Sequence, residues 1–364
     1  MQRVAMELDA AIRRLPSTQE ALSSKGEPTV EYDAIVLTAS WKWVHLLAVP
    51  FLIRTYFELA MLIRRRDVDV ILFSSMVTAA LAVPLRRSLR KNRVKTAAIV
   101  HGQDVTKPVR PYQLFVPKVF AALDMVLPVS GPTGEACVER GLAPEKVAVV
   151  HNGVKLDRFA PCQWPAGSRS AHPFRSSLAP NVLLLASVGR QVKRKGFAWF
   201  IENVMPKLPD HVHYWLGGDG PEQANIQAAI ENNSLQDRVR LLGRMGDAEL
   251  TQLYQCADVF VMPNIPIPGD MEGFGIVMLE AAMNGLPAVA ARLEGIREVI
   301  TPGKNGYFVE TGDVAGYVSR LNSLDSDREA LNELSVSSNA HVSSTFGWDA
   351  VAQKYINLLH SLSK

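Results

Sequence analysis

Short apolar runs alternate with segments of helical period along most of the chain, and this alternation constrains the fold more than any other feature. Met1, Val4, Ala5, Leu8, Ile12 and Leu15 fall at helical spacing, so residues 1–15 are expected to be helical, with a polar loop over 16–31. Strands are predicted at 33–38, 68–73, 95–100, 125–129 and 146–150, with helices at 41–66, 76–90, 111–123 and 132–140 between them. Residues 161–180 break the series, because Pro161, Pro165, Gly167, Pro173 and Pro180 mark an exposed linker. The alternation restarts with strands at 182–188, 212–216, 238–242, 258–262 and 287–291 and helices at 197–207, 221–233, 247–256, 275–284 and 295–300. An amphipathic helix carrying Trp348, Val351, Tyr355, Leu358 and Leu359 closes the chain. Short buried strands separated by helices imply mostly parallel sheets covered on both faces. The expected fold class is therefore α/β, with two doubly wound domains over 1–160 and 181–345, a linker over 161–180 and a closing helix over 346–364. Such sheets bind ligands beyond the carboxyl ends of their strands, so a cleft between the two sets of strand ends is the expected site.

Charge separates the two halves. Residues 1–160 hold 22 Lys and Arg against 15 Asp and Glu, a net of +7, whereas 161–364 hold 17 against 21, a net of −4. A basic first half suits an acidic partner such as phosphate or anionic lipid. Nucleic acid is not expected, because aromatic residues are not interleaved with the charge. Cys137, Cys162 and Cys256 are odd in number and form no Cys-x-x-Cys pair, which predicts reduced thiols in a cytosolic protein. The opening is amphipathic, with Glu7, Asp9 and Arg13-Arg14, and does not read as a secretory signal. The most apolar stretch, 44–63, contains His45, Arg54 and Glu58, so a helix on a sheet or at a membrane surface is expected rather than a span. Two Asp-x-Asp segments, Asp67-Val68-Asp69 and Asp325-Ser326-Asp327, fall at a strand start and at a loop or helix cap, and no metal site is expected.

The chemistry concentrates after the strands of the second half. Glu272-Gly273-Phe274-Gly275-Ile276 leads into an apolar run carrying Glu280. With the helix starting near Gly275, two carboxylates stand beside free N–H groups and a positive dipole end, a place for a ligand that bears phosphate and hydroxyls. After the strand at 182–188 comes Gly189-Arg190-Gln191-Val192-Lys193-Arg194-Lys195-Gly196. Its end glycines let the backbone turn, while Arg190 offers a planar fork and Lys195 a point charge to phosphate. Gly217-Gly218-Asp219-Gly220-Pro221-Glu222 follows the next strand and reads equally well as a tight strand–helix turn. Gly243-Arg244-Met245 follows the third, where Arg244 could face a flat base.

In this order these segments resemble glycosyltransferase family 4, the retaining, nucleotide-sugar-dependent enzymes of the GT-B fold. Val129-Ser130, Asn152-Gly153-Val154 with Phe159, Gly189 to Gly196, Gly217 to Glu222 and the Glu272 to Glu280 pair carry the resemblance, which covers most of the chain. Asn305-Gly306 and the closing Trp348 helix are similar too. The resemblance implies a GT-B-like pair of Rossmann-type domains facing a central cleft, with the closing helix crossing back onto the first. It implies that Arg190 and Lys195, beside Gly189, hold the donor diphosphate, that Glu280 accepts from the ribose hydroxyls, and that Glu272 contacts the transferred sugar. Backbone N–H groups of Gly273, Phe274, Gly275 and Ile276 would meet the sugar or phosphates, His101 would lie near the transferred sugar, and Asn152-Gly153 would shape the turn near the crossing. Front-face attack without a protein nucleophile is implied, which makes Glu272 a positioning group.

The implied activity is transfer of a sugar from a UDP- or GDP-linked donor to a glycan or lipid-linked acceptor, in polysaccharide, lipopolysaccharide or glycolipid biosynthesis, with no further cofactor. The expected location is cytoplasmic and peripheral on the inner face of the membrane. Arg86, Arg87, Arg90, Lys91, Arg93 and Lys95, with Arg64-Arg65-Arg66, supply a basic stretch for docking on anionic lipid, or simply solvated helix ends. Family members place a strand and a glycine-rich loop before the first helix, whereas here Gln2-Arg3-Val4 resembles the sequence just after that loop. A second reading therefore stands beside the enzyme: a catalytically impaired glycosyltransferase-like protein that binds a nucleotide sugar or a partner enzyme. A sugar-nucleotide epimerase of the same architecture is a third, and the Glu272/Glu280 set argues against it.

Overall fold

All strand pairs among the described residues run parallel, as connections through helices require. The computed structural model describes residues 2–15, 30–37, 44–156 and 168–364. Phe159, Cys162, Trp41 and most of the expected loop at 16–31 lie outside these residues. The chain divides into two compact units, Met1–Gly153 with Trp348–Lys364, and Val154–Gly347.

In the first unit, α1 (Gln2–Ile12) and α2 (Val44–Arg65) precede β1 (Val70–Phe73), α3 (Met76–Ala79), α4 (Ala82–Asn92) and β2 (Lys95–Val100). Then come α5 (Gln103–Thr106), α6 (Arg110–Phe120), β3 (Met125–Pro128) and α7 (Gly131–Val138). The described sheet has the order β1-β2-β3, with Val70 opposite Lys95 and Ala97 opposite Met125. Ala97, Ala98, Ile99 and Val100 of β2 are fully buried, because helices cover both faces of this central strand. Leu59 and Ile63 of α2, Leu85 and Leu89 of α4, and Val116 and Phe120 of α6 fill that core.

The expected helix over 76–90 is two helices. Ser75 starts α3 with a reciprocal capping box to Thr78, and the turn tightens through Leu81 N–H to Thr78 C=O before α4 begins. Two expected strands are not formed among the described residues. Residues 33–37 form no strand ladder; Ile35 packs on the core and Val36 is exposed. A short apolar run such as Ala34 to Leu37 predicts a strand, but a strand is defined by its ladder. At 146–150 the chain runs beside β3, with Ala148 N–H to Val126 C=O and Val150 N–H to Pro128 C=O, and forms a single bridge rather than a strand.

The second unit holds β4 (Leu183–Val188), α8 (Phe197–Asn203), β5 (Val212–Gly217), α9 (Gln223–Asn232), β6 (Val239–Gly243), α10 (Asp247–Cys256) and β7 (Val259–Met262). It continues with α11 (Ile276–Met283), β8 (Ala288–Ala291), β9 (Gly306–Val309), α12 (Val314–Ser326) and α13 (Arg328–Phe346). The strand order is β6-β5-β4-β7-β8-β9, so the winding reverses between β4 and β7, as in a doubly wound dinucleotide-binding sheet. A helix expected at 295–300 is a 3-10 turn over Glu294–Glu298. Asp327 caps α13 by accepting from Ala330 N–H, in line with the capping role expected of the second Asp-x-Asp segment.

Residues 168–180 are not an exposed linker. Arg169 and Arg175 are buried and pack within the second unit, to which these residues belong. Arg169 donates to the carbonyls of Tyr254, Ala257 and Asn284, closing the ends of α10 and α11, while Arg175 donates to Cys256 C=O and pairs with Asp258 at 3.0 Å. Proline and serine content predicts a loop but says nothing of where a buried arginine finds acceptors.

The last helix, α14 (Trp348–Ser363), belongs to the first unit and lies along α1. Trp348 Nε1–H donates to Glu7 at 2.6 Å, and Arg14 pairs with Asp349 at 2.8 Å. Gly153 faces the same indole: a Cβ there would stand 2.5 Å from Trp348 Cδ2.

Candidate active site

The reversal of winding brings the loops after β4 and β7 together. After β4 the chain passes Gly189, Arg190 and Gln191 into a 3-10 turn over Lys193–Lys195. Gly196 then takes φ 66°, and a Cβ on it would sit 2.0 Å from Pro263 C=O, so only glycine lets α8 begin this close to the end of β7. This closeness delivers Lys195 to the loop that follows β7.

Lys195 Nζ meets Glu272 Oε2 at 2.7 Å, and both side chains are about nine-tenths buried. Asn264 Nδ2–H donates to the same oxygen at 3.2 Å, and Arg194 Nε stands 3.5 Å away. Burial alone would raise the Glu272 carboxyl, but the Lys195 ammonium and then the Arg194 guanidinium outweigh it and hold it below the ordinary value. Arg194 also pairs with Asp270 at 3.2 Å. Glu272 is thus an ionised carboxylate fixed among cations, and Lys195 has further hydrogens to offer.

The peptide of Glu272 is held from behind. Its N–H donates to the Glu294 carboxylate, and Gly295 N–H returns to Glu272 C=O at 3.3 Å. Glu294 adopts φ 44°, left-handed for a residue with a Cβ, and burial raises its carboxyl. A Cβ on Gly295 would stand 2.0 Å from Gly273 C=O. Gly275, at φ 81°, is the N-cap of α11. The first amides of α11 therefore lie directly after the Glu272 loop, with the positive dipole end that favours anions. Glu280 is buried in the second turn of this helix and accepts from Tyr254 O–H at 3.3 Å.

The glycines after β5 serve backbone stacking. Gly189 N–H donates to Gly217 C=O at 3.0 Å, Gln191 N–H to Asp219 C=O at 2.7 Å and Gly218 N–H to Gly243 C=O at 2.6 Å. Arg190 is exposed beside them. Arg244 pairs with Asp219 at 3.1 Å on the surface. Two buried amide oxygens, Gln191 Oε1 after β4 and Asn264 Oδ1 after β7, have no hydrogen-bond partner among the described residues. Buried polar atoms are rarely left so, and these flank the reversal point.

His101 lies in the first unit, at the end of β2. Its Nε2 is 3.1 Å from Ser74 C=O, which fixes Nε2 as the donor and Nδ1 as an acceptor. Burial lowers its pKa to about 4, so the ring is neutral near pH 7. Asp104 accepts from His101 N–H at 2.8 Å and from Met76 N–H at 3.4 Å, and burial raises its carboxyl to about 6.

The structure therefore joins Lys195, Glu272 and Gly273 to Ile276 in one site, with Gly189 and Arg190 on the adjoining loop and Glu280 on the helix that follows. Sequence reasoning missed Asn264, Arg194 and Glu294 as partners of Glu272. Asn264 carried a signal, a polar residue just after a buried strand; Glu294 carried none. Among the described residues no group of three His, Cys, Asp or Glu side chains could hold a metal ion, and no helix is long and apolar enough to cross a membrane. Cys137 and Cys256 are buried free thiols, pushed up to about 12 by burial.

Comparison with known proteins agrees with this architecture. Residues 1–158 match the family described as Glycosyltransferase Family 4, and residues 180–327 match Glycosyl transferases group 1. The putative colanic acid biosynthesis glycosyltransferase WcaL of Salmonella typhimurium is 29% identical over 283 residues, covering 76% of this chain and 66% of that protein, just under two thirds of its length. A GDP-mannose-dependent monoacylated phosphatidylinositol monomannoside mannosyltransferase of Corynebacterium glutamicum is 26% identical, covering 95% of this chain and 88% of that one. Among solved structures, Anabaena HepE in complex with UDP superposes with a TM-score of 0.70 at 20% identity, covering 90% of this chain and 85% of that one. The fold is of the GT-B type.

Proposed function

The chain belongs to the family 4 glycosyltransferases, and we propose that it moves a sugar from a UDP- or GDP-linked donor, with retention, to a glycan or lipid-linked acceptor in the building of a surface polysaccharide or glycolipid. The observation that carries this reading is the buried Lys195–Glu272 pair at the reversal point of the second sheet, just before the amino end of α11.

In this reading, departure of the nucleoside diphosphate develops negative charge on its outer phosphate and positive charge on the sugar. Lys195 and Arg190 stabilise the first, and the amides at the start of α11 add fixed dipoles. One such donor is worth roughly 100- to 1,000-fold in rate. These two cations also do the work that a divalent ion would otherwise do at the diphosphate. Glu272 accepts from hydroxyls of the transferred sugar, and its ion pair weakens it as a nucleophile, which supports front-face attack. Glu280 accepts from the ribose. His101, neutral near pH 7, offers Nδ1 as an acceptor to a sugar hydroxyl. Binding of UDP by HepE and use of GDP-mannose by the Corynebacterium relative support a nucleotide-sugar donor. The proposed location is cytoplasmic, on the inner face of a membrane carrying the acceptor.

A panel of UDP- and GDP-sugars read by thermal shift, then by transfer or hydrolysis with the best donor, tests this. At least one donor raises the melting temperature and releases its nucleoside diphosphate. Failure of every nucleotide sugar to do either contradicts the proposal.

A further inference from the structure

Helix α2 has two unlike faces. Thr55, Leu59 and Ile63 point into the core of the first unit. On the opposite side Val49, Ile53, Phe57 and Met61 recur every fourth residue and are 62%, 56%, 66% and 45% exposed. Four steps of an α-helix advance about 40°, so these side chains form a slanted stripe that drifts by about 120° over somewhat more than three turns. Leu47, also exposed, widens it. Large apolar side chains grouped in this way on a soluble surface mark an interaction site.

The charge around the stripe says what covers it. Arg54 lies on the same outward face and pairs with Glu58 at 2.7 Å, and Arg64 and Arg65 close the helix. Helix α4 packs on α2 and carries exposed Arg87, Arg90 and Lys91. Residues 44–95 hold ten Lys and Arg against three acids, Glu58, Asp67 and Asp69. A second copy of this chain would bring like charge onto like charge. The occupant must be apolar where the stripe enters it and anionic around it. An anionic lipid surface meets both demands, with the stripe in the acyl boundary and the cations at headgroups.

We propose that the outward face of α2 docks this protein on an anionic membrane, with Ile53, Phe57 and Met61 inserted and Arg64, Arg65 and the basic end of α4 at the headgroups. This deepens the membrane side of the proposed function and rests on that reading only for its purpose. Vesicle binding is read without donor or acceptor, so its failure leaves the transferase reading standing.

The test is co-sedimentation of the full chain with phosphatidylcholine vesicles, with and without phosphatidylglycerol. The wild type binds only vesicles containing phosphatidylglycerol. Each cation near the surface is worth about fivefold, so Arg64→Ser with Arg65→Ser weakens binding by about 25-fold. Ile53→Ser with Phe57→Ser weakens it by at least about tenfold. A Phe57→Trp variant keeps an apolar side chain there, and its fluorescence is quenched by brominated acyl chains only when position 57 is inserted. A circular-dichroism melt excludes unfolding as the cause of a loss. Wild type that ignores phosphatidylglycerol, pairs of substitutions that bind as wild type, or no quenching at position 57 overturns the proposal. So does concentration-dependent self-association that Phe57→Ser abolishes, which would make the stripe a protein interface.

Discussion

Replacing Lys195 with Met keeps the length of the side chain and removes the ammonium that faces Glu272 at 2.7 Å. At an effective dielectric constant of about 20 two unit charges at that distance attract by roughly 6 kcal/mol, most of it offset by the cost of burying them. Removing one partner leaves the other charge buried, which typically costs about 3–5 kcal/mol. Arg194 at 3.5 Å and Asn264 at 3.2 Å remain beside the carboxylate, so the lower end, about 3 kcal/mol, is expected. In urea, with a slope of about 2 kcal/mol per molar, this lowers the midpoint by roughly 1.5 M. Adding Glu272→Gln to Lys195→Met removes the stranded charge and recovers about half of the loss. The pH dependence has a definite sign. The folded carboxyl of Glu272 is held low, so its contribution is complete above the unfolded carboxylate value and is lost as pH falls through the folded one. The gap between wild type and Lys195→Met is therefore full at pH 7 and narrows below about pH 4. A loss under about 0.5 kcal/mol at pH 7, or a double variant whose effects simply add, would refute the reasoning.

Two further predictions concern groups around the site. Glu294→Gly relieves left-handed strain of about 1–2 kcal/mol and removes a charged acceptor worth about 1.5–3 kcal/mol, so urea unfolding changes little. Transfer nonetheless falls by at least about tenfold because the Glu272 peptide loses its anchor; activity that tracks stability one for one would contradict this. His101, with a folded pKa of about 4, binds its proton more weakly than in the unfolded chain. Its neutral burial therefore costs wild type up to about 3 kcal/mol of stability as pH falls from 6.5 towards 4. The His101→Asn variant loses correspondingly less over that interval in denaturant titrations at the two pH values, and identical slopes for the two proteins would refute the assignment.

The second sheet was legible because its strands are apolar on both faces and end at glycine or turn residues, so β4 to β8 lie within two residues of expectation. Its final strand and two long helices were not. β9 is only Gly306 to Val309 at a sheet edge, and α13 buries Ser335 and Ser338 among Leu331, Leu334 and Val342, which hides its period. Resemblance pointed to Lys195, Glu272 and Glu280, and their spacing suited a loop followed by a helix. The ion pair between the first two depends on Gly196 admitting Pro263, and the hold on Glu272 depends on the backbone of Glu294. Both are tertiary matters that no local pattern encodes.

The most direct test of a nucleotide-sugar site in the second unit is equilibrium binding of UDP and GDP to wild type and to Glu280→Ala. If Glu280 accepts from the ribose, one of the two diphosphates binds wild type. The substitution then removes about 1.5–3 kcal/mol of charged hydrogen bonding, a weakening of about 10- to 150-fold. Failure of both nucleotides to bind wild type, or equal affinity for the two proteins, would contradict the account.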